Sequence, residues 1–177
     1  MANNREEMES LKLALKTEKD GRKMYLDAAK KVKNPIAKNV LSNLAEEEVH
    51  HINAIENFYR ALEEGTEADP DSILKKAHNL KTLKKTIFEQ SKDRMTETVE
   101  QDPDAIKAYD TAMKFEEDGA AMYKELSGKT GNPKAKAMYS FMFEQESEHY
   151  RLLQESRIYL DKPDMWFNEQ EKWLFEG

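Results

Sequence analysis

At 177 residues the chain is long enough for one domain with a sizeable core and short for two. A charged fraction of 36% with only 6 Gly and 5 Pro favours helices over strands, and a net charge of -7 with no Lys/Arg block argues against a nucleic-acid partner. The lack of Cys excludes disulfides, Cys-ligated zinc, iron–sulfur clusters and a thiol nucleophile, so any metal must be held by oxygen and imidazole.

The N-terminus, Met-Ala-Asn-Asn-Arg-Glu-Glu-Met, lacks the apolar core of a signal peptide, and no apolar stretch approaches the roughly 20 residues that cross a bilayer. A cytoplasmic protein without membrane partners is expected. The first helix is predicted over roughly residues 5–32, where Met8, Leu11, Leu15, Glu18, Arg22 or Tyr25, Ala29 and Val32 recur in steps of three and four. Glu18 thus falls on the core-facing stripe. Asn34-Pro35 then places a capping side chain before a proline suited to the first helical position, opening a second helix over roughly 35–63. Its stripe reads Ala37, Val40, Leu44, Glu48, His51, Ile55, Phe58 and Leu62, so Glu48 and His51 take core positions.

Residues 64–102 are far longer than a turn. Leu74, Ala77, Leu80, Leu83, Ile87 and Ser91 recur at helical spacing, so a partly helical crossover lying against the rest is expected. Asp102-Pro103 opens the third long helix, roughly 103–127, with the stripe Ile106, Tyr109, Met113, Glu116, Ala120, Tyr123. Asn132-Pro133 opens the fourth, roughly 133–160, with Ala135, Met138, Met142, Glu146, His149, Leu153 and Leu160. A tail over 162–177 carries Trp166 and Trp173 and is expected to hold a short helix covering a bundle end or a subunit interface.

The two halves repeat. A shift of 98 residues superimposes Glu18 on Glu116, Gly21 on Gly119, Tyr25 on Tyr123, Asn34-Pro35 on Asn132-Pro133, Glu48 on Glu146 and His51 on His149. Two copies of one αα-hairpin, joined by the crossover into an antiparallel four-helix bundle over 1–161, is the natural architecture. The repeat also settles register, because Glu47-x-x-His50 would map onto Gln145-x-x-Glu148, whereas Glu48-x-x-His51 maps onto a second Glu-x-x-His. His50 and His78 are left as ordinary surface or packing residues.

Six ionisable side chains, Glu18, Glu48, His51, Glu116, Glu146 and His149, are therefore expected to point inward. Four carboxylates buried together oppose their own ionisation, and two divalent cations would balance them while two imidazoles add nitrogen donors. Tyr25 and Tyr123 lie about 10 Å along the axis from their own glutamates, too far to ligate but placed to hydrogen-bond a carboxylate, line an access path or pack in the core. Gly21 and Gly119 make room beside the site or let helices approach closely. Glu46, Glu117 and Glu144 fall off the stripes and are expected on solvated faces.

Glu18, Glu48-x-x-His51, Glu116 and Glu146-x-x-His149 on four helices with a long crossover resemble the ferritin-like superfamily, most closely the rubrerythrin-like proteins. The resemblance covers nearly the whole chain. It implies two iron ions per chain, with Glu18 and Glu116 as terminal carboxylates, Glu48 and Glu146 as bridges, and His51 and His149 as one imidazole per iron. It further implies an oxidoreductase of peroxidase type that reduces hydrogen peroxide or O2. Two features depart from the family. Many rubrerythrins carry a rubredoxin domain with four cysteines, and this chain has none, so electrons would come from a separate donor such as a rubredoxin. Rubrerythrins also add a carboxylate on the third helix where this chain has Gly119. Oxygen and imidazole ligands accept manganese as well, so non-catalytic iron binding, delivery or sensing, a di-manganese catalase-like site and a purely structural bundle stand as the other readings. A homodimer is the default assembly.

Overall fold

The computed structural model describes residues 2–66, 80–91 and 102–161. Among them the chain forms five helices and no strand: α1 (Ala2–Lys31), α2 (Pro35–Glu64), α3 (Leu80–Ser91), α4 (Pro103–Lys129) and α5 (Pro133–Asp161). Leu74, Ala77, His78 and the tail with Trp166 and Trp173 lie outside the described residues.

The predicted caps set the long-helix boundaries. Asn34 Oδ1 accepts from the backbone N–H groups of Ile36 and Ala37 at 2.9 and 3.0 Å, and Asn132 Oδ1 accepts from Lys134 and Ala135 at 2.9 and 3.3 Å. In each case Pro follows at the first helical position, where its missing N–H is no loss. Residues 32–34 and 130–132 are all that join α1 to α2 and α4 to α5, so each pair is an antiparallel hairpin. Gly65 ends α2 in the left-handed conformation, φ 66°, a backbone state that favours glycine.

Asp102 ties the two hairpins together. One carboxylate oxygen caps α4 through Ala105 N–H at 3.2 Å, and the other accepts from Lys33 and Asn34 N–H at 2.7 and 2.9 Å in the α1–α2 turn. The start of the second hairpin is thereby fixed against the turn of the first.

The crossover helix α3 packs on α2 and α5. Leu83 and Ile87 are buried in the core cluster formed around Val40, Leu41, Leu44, Leu152 and Leu153, as their spacing predicted. Lys84 is also buried, and its ammonium meets Glu155 of α5 at 2.5 Å.

The observed stripes differ from the predicted ones in one systematic way. In α1 the buried positions are Glu7, Leu11, Ala14, Glu18, Gly21, Tyr25 and Ala29, followed by Val32 just past its end, whereas Met8, Leu15 and Arg22 are half-buried. In α4 they are Ala105, Tyr109, Ala112, Glu116, Gly119 and Tyr123, whereas Ile106, Met113 and Ala120 are half-buried. Small residues occupy the inner face beside the glutamates because the space there is narrow, and larger side chains are turned toward the margins. Leu62 in α2 is likewise half-buried, and the predicted core positions of α5 are all buried.

Candidate metal centre

Each of the four long helices delivers a carboxylate to the middle of the bundle. Glu18 comes from α1, Glu48 and His51 from α2, Glu116 from α4, and Glu146 and His149 from α5, and all six side chains are buried. Glu-x-x-His sets both side chains on one helix face within about one turn, which is why α2 and α5 each contribute a pair.

The six assemble around two overlapping foci. Glu18, Glu48, His51 and Glu146 each offer one ligand atom, all within 4.8 Å of one another, and so do Glu116, Glu146, His149 and Glu48. The repeat exchanges these sets, and Glu48 and Glu146 belong to both. Nδ1 of His51 lies 3.0 Å from Glu18, 3.3 Å from Glu48 and 3.3 Å from Glu146. Nδ1 of His149 lies 3.6 Å from Glu116 and 4.0 Å from Glu48. The two imidazoles stack, centroids 5.3 Å apart.

The tyrosines cross between hairpins. Tyr25 of α1 donates its hydroxyl hydrogen to Glu116 of α4, and Tyr123 of α4 donates to Glu18 of α1. Glu116 and Glu18 are each therefore oriented by the phenol of the opposite repeat.

Electrostatics show what the cluster lacks. Burial pushes the Glu48, Glu146 and Glu116 carboxyls up, reinforced at Glu48 by the charge of Glu18 and at Glu146 by that of Glu116. Burial acts the same way on Glu18, but hydrogen bonds with Glu48, His51 and Tyr123 outweigh it and hold that carboxyl lowered to about 2. Burial lowers His149, whereas three carboxylates overcome burial at His51 and raise it. In the ionised carboxylates both oxygens of Glu48, Oε2 of Glu116 and Oε1 of Glu146 find no hydrogen-bond donor, and Nδ1 of His149 has no partner. Buried acceptors without donors are rare and costly. Hard oxygens and imidazole nitrogens so arranged fit divalent iron or manganese, and these residues could hold it.

Gly119 and Gly21 leave space for different neighbours. A Cβ at Gly119 would lie 3.1 Å from Glu146 Oε2, and one at Gly21 would lie 2.6 Å from the Phe115 ring. Gly119 makes room for a cluster carboxylate, and Gly21 for helix approach. A cavity of about 620 Å³ opens between α1 and α4 and has Tyr25 in its lining.

Some features escaped the sequence reading. Glu47 and its counterpart Gln145 are buried, and the charge of Glu47 acts on His149. Glu46, Glu117 and Glu144 are exposed, as expected, and His50 is half-buried.

The fold and this site define an all-α ferritin-like bundle with a buried carboxylate–histidine cluster of metal-binding type. The rubrerythrin family model matches residues 9–156, and the chain belongs to the rubrerythrin family. No curated protein and no solved structure matches it. Among the described residues no helix is long and apolar enough to cross a membrane.

Proposed function

We propose that this chain is a di-iron peroxidase, reducing hydrogen peroxide, or O2, with electrons from a separate donor protein such as a rubredoxin. The observation that carries the reading is the pair of overlapping four-residue sets sharing Glu48 and Glu146. In this reading Glu18, Glu48, His51, Glu116, Glu146 and His149 would hold two iron ions, with Glu48 and Glu146 common to both sets, and Gly119 would leave the centre without a seventh carboxylate. Two ions bound there supply the two electrons and the open coordination positions that an oxidant needs.

The chain's own residues do the rest. In this reading a small oxidant enters by the cavity between α1 and α4, in whose lining the buried Tyr25 stands. Burial raises the Tyr25 and Tyr123 phenols well above their ordinary value, so both stay protonated and hold Glu116 and Glu18 in place. The surrounding apolar packing excludes bulk water. The balance for peroxide is two electrons and two protons in, two waters out. A homodimer in the cytoplasm is the setting we assign.

The test is steady-state peroxide consumption by iron-loaded protein supplied with a reduced one-electron donor protein. Repeated turnover is expected. Oxidation of Fe(II) that stops after one equivalent would replace this reading with iron sequestration or delivery.

A further inference from the structure

The cavity of about 620 Å³ between α1 and α4 is far larger than hydrogen peroxide or O2 requires. A water's share of liquid volume is roughly 30 Å³, whereas pockets that bury a small organic molecule run to roughly 300–1,000 Å³. The wall is apolar, with the half-buried Met24, Ala28 and Ala108 packed on the buried Val32, Leu41 and Ala112. The rim is charged, with Asp27, Lys31, Asp104 and Lys107.

Positive charge predominates on that rim. Asp27 is already held by Lys23 at 2.6 Å and by Lys30 at 3.3 Å. Asp104 stands in the first turn of α4, where the helix N-terminus itself favours a carboxylate. Lys31 and Lys107 are exposed and make no ion pair with any described residue. Lys23, Lys30, Lys31 and Lys107 thus stand against two aspartates, in a chain whose net charge is -7.

The repeat provides a comparison within the same molecule. Shifted by 98 residues, Tyr25 and Lys31 recur as Tyr123 and Lys129, but Ala28 corresponds to Leu126, Leu41 to Tyr139 and Lys107 to Glu9. The space lined there by Leu126, Lys129 and Tyr139 is only about 150 Å³. Lys129 is paired with Glu125, and Glu9 with Lys12 at 2.8 Å. The same pair of helices therefore accepts side chains that fill this location and neutralise its rim, and the first repeat carries smaller ones and a lysine instead.

We infer that the cavity binds a single-chain aliphatic carboxylate of medium length, its chain against Met24, Ala28 and Ala108 and its carboxylate between Lys31 and Lys107. Each CH2 removed from water favours binding, and the anionic head matches the surplus positive charge of the rim. A cationic amphipath would meet that charge with its own. The inference does not rest on the di-iron reading, although a bound chain would share the space by which an oxidant is proposed to enter.

The experiment titrates decanoate calorimetrically into the full-length protein as purified, with 1-decanol as the uncharged analogue. One decanoate per chain is expected. Ala28→Leu should weaken both ligands about tenfold by filling the wall, and Lys107→Glu should weaken decanoate about tenfold while leaving decanol unchanged. Both variants should melt as wild type does, because the second repeat folds with these side chains at positions 126 and 9. The site is overturned if decanoate shows no saturable binding, or if Ala28→Leu leaves its affinity unchanged. Decanoate affinity indifferent to Lys107→Glu would overturn the assignment of a carboxylate.

Discussion

Glycine 119 sits where a side chain would press on Glu146, and the consequences can be separated from those of Gly21. Gly119→Ala would place Cβ 3.1 Å from Glu146 Oε2, so the carboxylate must yield by a few tenths of an ångström. Better helix propensity, worth up to about 1 kcal/mol, offsets strain in the metal-free protein. The expected outcome is near-wild-type thermal stability without metal but metal affinity about tenfold weaker, equivalent to about 1.4 kcal/mol, measured by competition with a chelating dye. Gly21→Ala meets the Phe115 ring at 2.6 Å and should instead destabilise the fold by about 1–3 kcal/mol in urea titration. The protonation states of the cluster make a second prediction. Glu48, Glu146 and Glu116 are raised above 4.5 and His51 above 6.5, so the metal-free folded state holds protons that the unfolded chain releases. Their stabilisation is full below the unfolded values and is lost as pH rises through the raised folded ones. Glu18, lowered to about 2, contributes oppositely between that value and 4.5, and His149, which burial lowers, contributes oppositely below 6.5, two groups against the four that are raised. Metal-free protein should therefore melt at lower temperature as pH rises above about 5, and metal binding should release protons. Calorimetric heats of Fe(II) binding that do not depend on the buffer's ionisation enthalpy would contradict this.

At the scale of elements, Asp102 carries the joint between the hairpins. Burial raises its carboxyl, but the N–H groups of Asn34, Lys33, Ala105 and Asp104 outweigh burial and hold it below 3.8. Its contribution is thus present above 3.8 and lost as pH falls through the lower folded value. Asp102→Ala removes a helix cap and leaves two turn N–H groups without their acceptor, at a cost of about 2 kcal/mol at neutral pH. The difference from wild type should shrink in acid, as followed by circular dichroism. The long helices and their caps were legible in the sequence because Asn-Pro and Asp-Pro carry a local mechanism. The six clustered side chains were legible because the repeat selects Glu48-x-x-His51 over Glu47-x-x-His50. Contacts between hairpins were not, since a repeat gives equivalence and not adjacency. Nothing along the chain says that Tyr25 bonds Glu116 rather than Glu18, or that Asp102 reaches Asn34. Ala14, Ala105 and Ala112 were passed over because reading by hydrophobic size favours Leu15, Ile106 and Met113. Glu7 reads as one more acidic residue near a helix start until Tyr139 is seen above it. Setting Tyr139 beside Leu41 in the repeat was the signal available.

Across the whole molecule, duplication yields a near-symmetric centre inside an asymmetric shell. The inner residues obey the repeat: two Glu-x-x-His pairs, Glu18 matched by Glu116, two phenols crossing between hairpins. The outer residues do not. One half has a cavity of about 620 Å³ between α1 and α4, and in the other Tyr139 donates to the buried Glu7. Among the described residues the crossover helix α3 covers the α2–α5 side with Leu83, Ile87 and the Lys84–Glu155 pair, and the larger cavity lies on the α1–α4 side. The proposed function depends on two divalent cations in the cluster, whose charge would match that of the four carboxylates. The most direct test is metal content by mass spectrometry on protein purified without oxygen under iron-replete expression, with Glu48→Ala and Glu146→Ala as controls. The account predicts about two iron ions per chain, lost in both variants. Wild-type protein with no stoichiometric metal, or with metal that survives both substitutions, would contradict it.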